Sequence, residues 1–230
     1  MQQENNLLNN RLSIRITPDG FSFFVAGEVG PATVANYVTL DRITTTISET
    51  PALQHPFAQV CASWETHKAC LVPSALFDHR QGDIYLALNG TPHDDMAETV
   101  IHNPQGNEAI FVYAVDLQAK AEIERHFPGL DYTHPLLELL TYDTGKSNLL
   151  LVEQTIRHAF LVLRLGGRLT AAEALPCAGF ADLLLAVNRI IVAGKAGRIR
   201  IRCYGTMGDA TCRELSRYFP EVETVGMEGV

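Results

Sequence analysis

The sequence predicts an α/β protein made of mixed sheets flanked by helices, and three observations predict it. The opening run "LSIRITPDGFSFFV" alternates apolar and polar residues with the period of two that marks half-buried strands. Later segments, "LQAKAEIERHF" and "AGFADLLLAVNRIIVAG", switch to the spacing of an amphipathic helix. The order of three antiparallel strands, helix, strand, helix also occurs twice along the chain. That repetition points to a duplicated unit, although the halves share no residue-level identity. Antiparallel strands leading into strand-helix alternation make a mixed sheet.

Taken in order, residues 11–17 and 21–26 predict a hairpin around Pro18-Asp19-Gly20. Proline presets one turn dihedral, aspartate bonds nearby backbone and glycine accepts positive φ, so Asp19 is assigned to turn chemistry. A third strand is placed at "NYVTLD". In "RITTTISETPAL" the β-branched residues favour a strand, while Ile43, Ile47 and Leu53 are loosely spaced as in a helix; a short helix is expected. "AQVCASW" and "KACLVP" predict strands joined by "ETH", and "SALFD" a helical turn after Pro73. "EAIFVYAVD" has the continuous apolar character of a buried strand. The helix "LQAKAEIERHF" follows, stopped by Pro128-Gly129, and "HPLLELLTY" is another. "TGKSN" is a polar break, which sets the expected domains at residues 11–143 and 144–230.

After the break, "NLLLVEQ" and "HAFLVLRL" are strands, the second turning back at Gly166-Gly167 into "RLTAAEAL", a third strand or its trailing loop. The long helix "AGFADLLLAVNRIIVAG" presents Phe180, Leu183, Leu184, Val187, Ile190 and Ile191 on one face. "RIRIRCY" is a strand whose Arg198, Arg200 and Arg202 alternate onto one solvated face. "DATCRELSRYF" is a helix with Asp209 at its start and Pro220 beyond its end.

Bulk properties narrow the function. The chain has 230 residues, 47% of them hydrophobic, enough for a substantial core. A formal net charge of −8, with no dense basic cluster beyond the three alternating arginines, argues against nucleic acid as a partner. "MQQENNLLNN" lacks a basic start and an apolar run of signal-peptide length, so secretion is not expected. Apolar segments such as "FLVLRL" are too short or too interrupted by charge for membrane insertion. Five cysteines (Cys61, Cys70, Cys177, Cys203, Cys212) without a CxxC pair fit reduced thiols and a cytoplasmic location. A Cys61–Cys70 contact across a hairpin is the alternative, with buried free thiols preferred.

The segments "LSIRITPDGFSFFV", "CLVPSALFD", "FVYAVDLQAKAEIERHFPGLDYTHPLLELL" and "IRIRCYG" with the following "YFPEVE" together resemble an uncharacterised bacterial family of unknown function. The resemblance runs from about residue 11 to the end of the chain. It implies the actin-like ATPase fold: two ribonuclease-H-like domains facing a cleft, each a mixed sheet flanked by helices. It also implies remoter similarity to the cytoplasmic actin-like scaffold proteins of pilus and type II secretion machinery. No activity comes with it.

An actin-like ATPase holds its nucleotide phosphates between two hairpins, each marked by an Asp-x-Gly pattern whose acid serves magnesium and whose glycine admits phosphate to the backbone. Here the first hairpin offers Ser13, Arg15 and Thr17 on one face, with Asp19 in the turn directly before Gly20. The second offers Glu153, Thr155 and Arg157 and no Asp-x-Gly. Both depart from the active pattern. The better nucleotide candidate is "CYGTMGDAT": Gly205, Thr206 and Gly208 form a strand-to-helix turn, where the resemblance implies a glycine-bearing turn that accommodates adenosine. The paired glycines expected there are separated by Thr206 and Met207, and Asp209 sets a negative charge at the helix start.

Other motifs carry less. Gly145-Lys146-Ser147 ends like a P-loop but has Leu140 where a glycine is needed and the strand and helix in reverse order. Asp143-Thr144-Gly145 resembles an aspartic-protease triplet without a second copy. His93-Asp94-Asp95 with His102 has ligand-type residues, yet "NGTPHDDMAE" fits a polar loop capping a helix that follows. Ser74, Ser147 and Ser216 lack a nucleophile elbow. The expectation is a non-catalytic scaffold or adaptor with a protein partner and no assigned metal or cofactor; the alternative is an ATP- and magnesium-binding ATPase or kinase-like protein using a diverged cleft.

Overall fold

In the computed structural model, which describes residues 11–27, 30–92, 94–103, 109–142 and 145–225, the opening alternation folds as a hairpin. Strands β1 (Arg11–Thr17) and β2 (Gly20–Gly27) pair antiparallel with Thr17 opposite Gly20. Leu12, Ile14 and Ile16 turn inward and are buried, while Ser13, Arg15 and Thr17 are half-buried. Strand β3 (Gly30–Val38) pairs antiparallel with β2. It starts earlier than "NYVTLD" suggests, because "GPATVANY" contains the glycine, proline and asparagine that normally announce a turn. An edge strand tolerates them, since one row of its backbone groups needs no partner. Residues 40–42 form a short 3-10 helix.

Helix α1 (Ile43–Glu49) realises the ambiguous segment. Strands β4 (Gln59–Trp64) and β8 (Asp131–Thr133) complete a five-stranded sheet in the order β3-β2-β1-β4-β8, with β4 parallel to β1 and β8 parallel to β4. Between β4 and β8 the chain makes β5 (Ala69–Pro73), α2 (Gly82–Leu88), β6 (Ala97–His102), β7 (Ala109–Asp116) and α3 (Leu117–His126), of which β5, β7 and β6 form a three-stranded sheet with β7 central. Asp116 caps α3 by accepting from the Ala119 N–H at 2.7 Å.

Helix α4 (Pro135–Thr141) precedes the second five-stranded sheet, formed by β9 (Leu149–Gln154), β10 (His158–Leu165), β11 (Arg168–Pro176), β12 (Arg200–Tyr204) and β13 (Val222–Thr224) in the order β11-β10-β9-β12-β13. Here too β12 runs parallel to β9 and β13 parallel to β12. The two sheets therefore share one topology, as the repeated element order implies. Helices α5 (Phe180–Ala193) and α6 (Gly208–Leu215) belong to this part of the chain. Leu183, Val187 and Ile190 of α5 pack with Leu150, Val152, Leu161 and Ile201 of the strands in one core. β9 is buried along its whole length.

The chain divides into two compact units: Met1–Thr66 with Asp94–Thr99 and Ala114–His134, and His67–His93 with Val100–Tyr113 and Pro135–Val230. The first holds the first five-stranded sheet. The second holds the other, with α4 to α6, β5 and α2.

Several expectations are corrected. "NGTPHDDMAE" leads into strand β6, not into a helix. Cys61 stands on β4 and Cys70 on β5, strands of different sheets, so no hairpin brings them face to face; all five cysteines are free. The strand β12 begins at Arg200, leaving Arg198 before it. α2, β6, β8 and β13 had no counterpart in the sequence pattern: β8 and β13 are three residues each, too short to show a period, and β6 is half-buried on both faces. Among the described residues, no helix is long and apolar enough to cross a membrane.

Candidate functional site

The glycine-bearing turn lies in the second unit, where β12 runs out into α6. Gly205 has φ +77°, a conformation that side-chain-bearing residues rarely adopt. A Cβ there would also stand 2.8 Å from Glu153 Oε1 and 3.0 Å from its Cγ. The Glu153 side chain, buried on β9 opposite Tyr204, thus lies directly over the Gly205 backbone. Gly208 serves packing: a Cβ there would meet the Cys203 carbonyl oxygen at 3.3 Å and Thr224 Cγ2 at 3.4 Å, so α6 sits close on β12 and β13. The Gly208 N–H donates to the Gly205 carbonyl at 3.0 Å, closing the turn on itself. Thr206 is exposed and Asp209 lies in the first turn of α6.

Two tyrosines stand beside this turn. The rings of Tyr142 and Tyr204 approach to 4.4 Å between centroids. Burial raises the Tyr142 phenol above its ordinary range, and the charges of Glu138 and Glu153 raise it further. Burial likewise raises Tyr204, against the opposing effect of Arg202. On the other face of β9, Gln154 Oε1 accepts from the Thr211 hydroxyl at 3.0 Å, tying the strand to α6.

The two hairpin tips are built alike. At the β1–β2 tip the Thr17 hydroxyl donates to the Gly20 carbonyl and accepts from the Asp19 N–H, both at 3.1 Å. At the β9–β10 tip the Thr155 hydroxyl donates to the His158 carbonyl at 3.2 Å and accepts from the His158 N–H at 3.1 Å. Each is a two-residue turn whose threonine takes up backbone groups of the tip. Gly20, at φ +130°, faces the Val38 carbonyl so closely that a Cβ would come within 2.6 Å of it. Arg157 is exposed.

Next to the second tip, the rings of His67 and His158 stack with centroids 5.3 Å apart and with Nδ1 of His67 3.3 Å from Nε2 of His158. Burial, together with the charges of His158 and Lys68, lowers the His67 pKa below the ordinary histidine value. Nothing in the local sequence of either histidine announces this pair, since they are 91 residues apart. Glu153 had a visible signal, a lone acid in the apolar run "NLLLVEQ"; the Tyr142–Tyr204 contact had none.

The remaining candidates are dispersed. His93, Asp143 and Thr144 lie outside the described residues. Asp94 accepts from the Met96 N–H, and His102 stacks on Tyr113 in the three-stranded sheet. Among the described residues, no three histidine, cysteine, aspartate or glutamate side chains gather to hold a metal ion. Gly145 and Lys146 lie in a turn, Ser74 opens a 3-10 helix, and the Ser216 hydroxyl donates to the Cys212 carbonyl. Arg198 and Arg202 pair with Glu221 and Glu223 beside them.

Against known proteins, the family model described as "Protein of unknown function (DUF3822)" matches residues 2–172. No curated protein matches the sequence. Among solved structures, the chain is similar to a Bacteroides thetaiotaomicron VPI-5482 protein with an actin-like ATPase fold and unknown function, at 15% identity and a TM-score of 0.78, covering 96% of this chain and 92% of that one. It is also similar to a chain of the PilM-PilN type IV pilus biogenesis complex, at 13% identity, TM-score 0.55, and 94% and 88% coverage. A third likeness is to the cytoplasmic domain of EpsL, an inner membrane component of the type II secretion system of Vibrio cholerae, at 14% identity, TM-score 0.51, and 95% and 87% coverage. At these identities the likeness establishes the actin-like ATPase fold.

Proposed function

The chain belongs to the DUF3822 family of proteins of unknown function, and we propose that it works as a non-catalytic actin-like scaffold or adaptor, a cytoplasmic protein that binds another protein. In this reading each five-stranded sheet is the centre of one ribonuclease-H-like domain, over residues 11–143 and 144–230. The observation that carries it is Glu153 set against the Gly205 backbone. A carboxylate occupies the approach to the turn that would have to receive a nucleotide, and the Gly208 amide is already bonded to Gly205. An anionic ligand there would meet negative charge in place of open N–H donors.

The hairpin tips support the same reading, because their threonines use backbone groups that a phosphate site needs. Two fold relatives, by name a pilus biogenesis complex and a secretion-system component, favour a protein partner. Purified chain is expected to show no magnesium-dependent ATP turnover. Turnover that disappears in Glu153→Gln or Asp19→Asn overturns the reading.

A second reading is a nucleotide-binding ATPase or kinase-like protein with a diverged site using Gly205, Thr206 and Gly208, favoured by the exposed Thr206 in a glycine-bearing turn before α6. Thermal-shift measurements with ATP, ADP and magnesium separate the two.

A further inference from the structure

Two thiols meet between β12 and α6, on either side of the turn that carries Gly205. Strand β12 alternates the exposed Arg200 and half-buried Arg202 with the buried Ile201 and Cys203. Ile201 and Cys203 therefore share its inner face, in the core that also holds Leu183 and Val187 of α5 and Leu215 of α6. Gly208 comes so close to this strand that a Cβ on it would stand 3.3 Å from the Cys203 carbonyl oxygen. Cys212, four residues further along α6, falls on the same stripe of the helix. It is half-buried and packs against the core that holds Cys203. The two cysteine side chains are hydrogen-bonded to one another.

A disulfide needs sulfurs about 2.05 Å apart on Cβ atoms roughly 3.5–4.5 Å apart. Thiols already in hydrogen-bond contact come within reach of that geometry by side-chain rotation, and the missing side chain at Gly208 is what lets the helix approach the strand. The pair is chemically unequal. Cys203 is fully buried, and burial, followed by the charge of Cys212 and the hydrogen bond with it, pushes its thiol up to about 12. Cys212 keeps part of its surface at the solvent. Because the thiolate is the nucleophile, the reachable Cys212 attacks an oxidant first and Cys203 resolves the product. The other thiols of this unit are placed differently: Cys177 donates to the Gly179 carbonyl at 3.3 Å, and Cys70 stands on β5 in the three-stranded sheet.

We propose that Cys203 and Cys212 form a reversible disulfide site, with low-molecular-weight disulfides of the oxidised-glutathione class as its oxidant, and that the bond tethers α6 to β12 across the Gly205 turn. The Cys212 thiolate attacks one sulfur of the oxidant. A Cys212 Sγ–S bond forms, the oxidant's S–S bond breaks, and one small thiolate leaves and takes up a proton. The Cys203 thiolate then attacks Cys212 Sγ, closes the Cys203–Cys212 bond and expels the second small thiolate, which is protonated in turn. The protein gives up two electrons and two protons, and the oxidant gains both. Holding the two sulfurs in contact makes the second step intramolecular, which offsets the small thiolate fraction of Cys203. In the reduced chain all five cysteines are free. The site stands independently of the scaffold and nucleotide readings.

The test incubates the folded full chain with oxidised glutathione, unfolds it in iodoacetamide to trap the remaining thiols, and maps the tryptic peptides. Both cysteines fall in one peptide, residues 203–213, released by cleavage after Arg202 and Arg213. That peptide is expected to lose both alkylation sites together and to become two hydrogen atoms lighter, and to regain both sites when dithiothreitol precedes the trap. Cys212→Ser is expected to leave Cys203 alkylated, and Cys203→Ser to stop at a glutathione adduct on Cys212. The oxidised parent chain is expected to melt several degrees above the reduced one. A parent peptide that stays doubly alkylated, one that ends as a glutathione adduct, or a disulfide that lowers the melting temperature overturns the proposal. The peptide map of the parent chain decides the matter whether or not either variant folds.

Discussion

At Gly205 two constraints coincide, a left-handed backbone and the Glu153 side chain lying over it. Gly205→Ala is expected to cost about 1–2 kcal/mol from backbone conformation alone, plus whatever moving Glu153 requires. Urea unfolding of the single variants and of Gly205→Ala with Glu153→Ala separates the contributions, since Gly205→Ala introduced into the Glu153→Ala chain costs only the backbone part. His67 supplies a pH dependence. Its folded pKa is lowered from 6.5, so below that value the unfolded chain binds more protons and stability falls as pH drops from 6.5 through the folded pKa. His102 acts with the same sign through burial. Stability measured from about pH 7.5 down to about pH 5.5 should fall less in His67→Gln than in the parent chain; an unchanged slope rejects the assignment. The turn glycines were legible in the sequence, because left-handed backbone has a strong residue preference. Their neighbours were not, because Glu153 reaches Gly205 from another strand.

Among the elements, α5 was the most legible, since its apolar positions recur at helical spacing and the buried Leu183, Val187 and Ile190 are members of that set, with Ala186 buried beside them. The exposed Leu185 and Val192 lie off that face. Leu183→Ala should cost about 2–5 kcal/mol by emptying a buried site, whereas Leu185→Ala should stay within about 0.5 kcal/mol; chemical denaturation of both variants checks this. Strand β6 and helix α2 escaped notice for opposite reasons. β6 has no buried face to generate alternation, and α2 exposes Ile84 and Leu88, so its apolar residues do not mark an inward stripe. The edge β11 looked like either a strand or a loop from "RLTAAEAL" because its alanines have little strand preference, and pairing with β10 decided the matter.

For the whole molecule, the nucleotide question has a direct measurement. A ligand at about 100 times its Kd would stabilise the fold by about 2.7 kcal/mol, so the absence of a melting shift in millimolar ATP and magnesium is the expected outcome, and a clear shift favours the second reading. The sequence by itself determined the α/β class, the repeated order of elements and the departure of both hairpins from an Asp-x-Gly pattern, because these depend on local periodicity and on residue types at fixed spacing. Only the tertiary structure decided that Glu153 covers Gly205 and that His67 stacks on His158. Those contacts join residues far apart in the chain, and the sheet pairings that create them leave no local periodic trace.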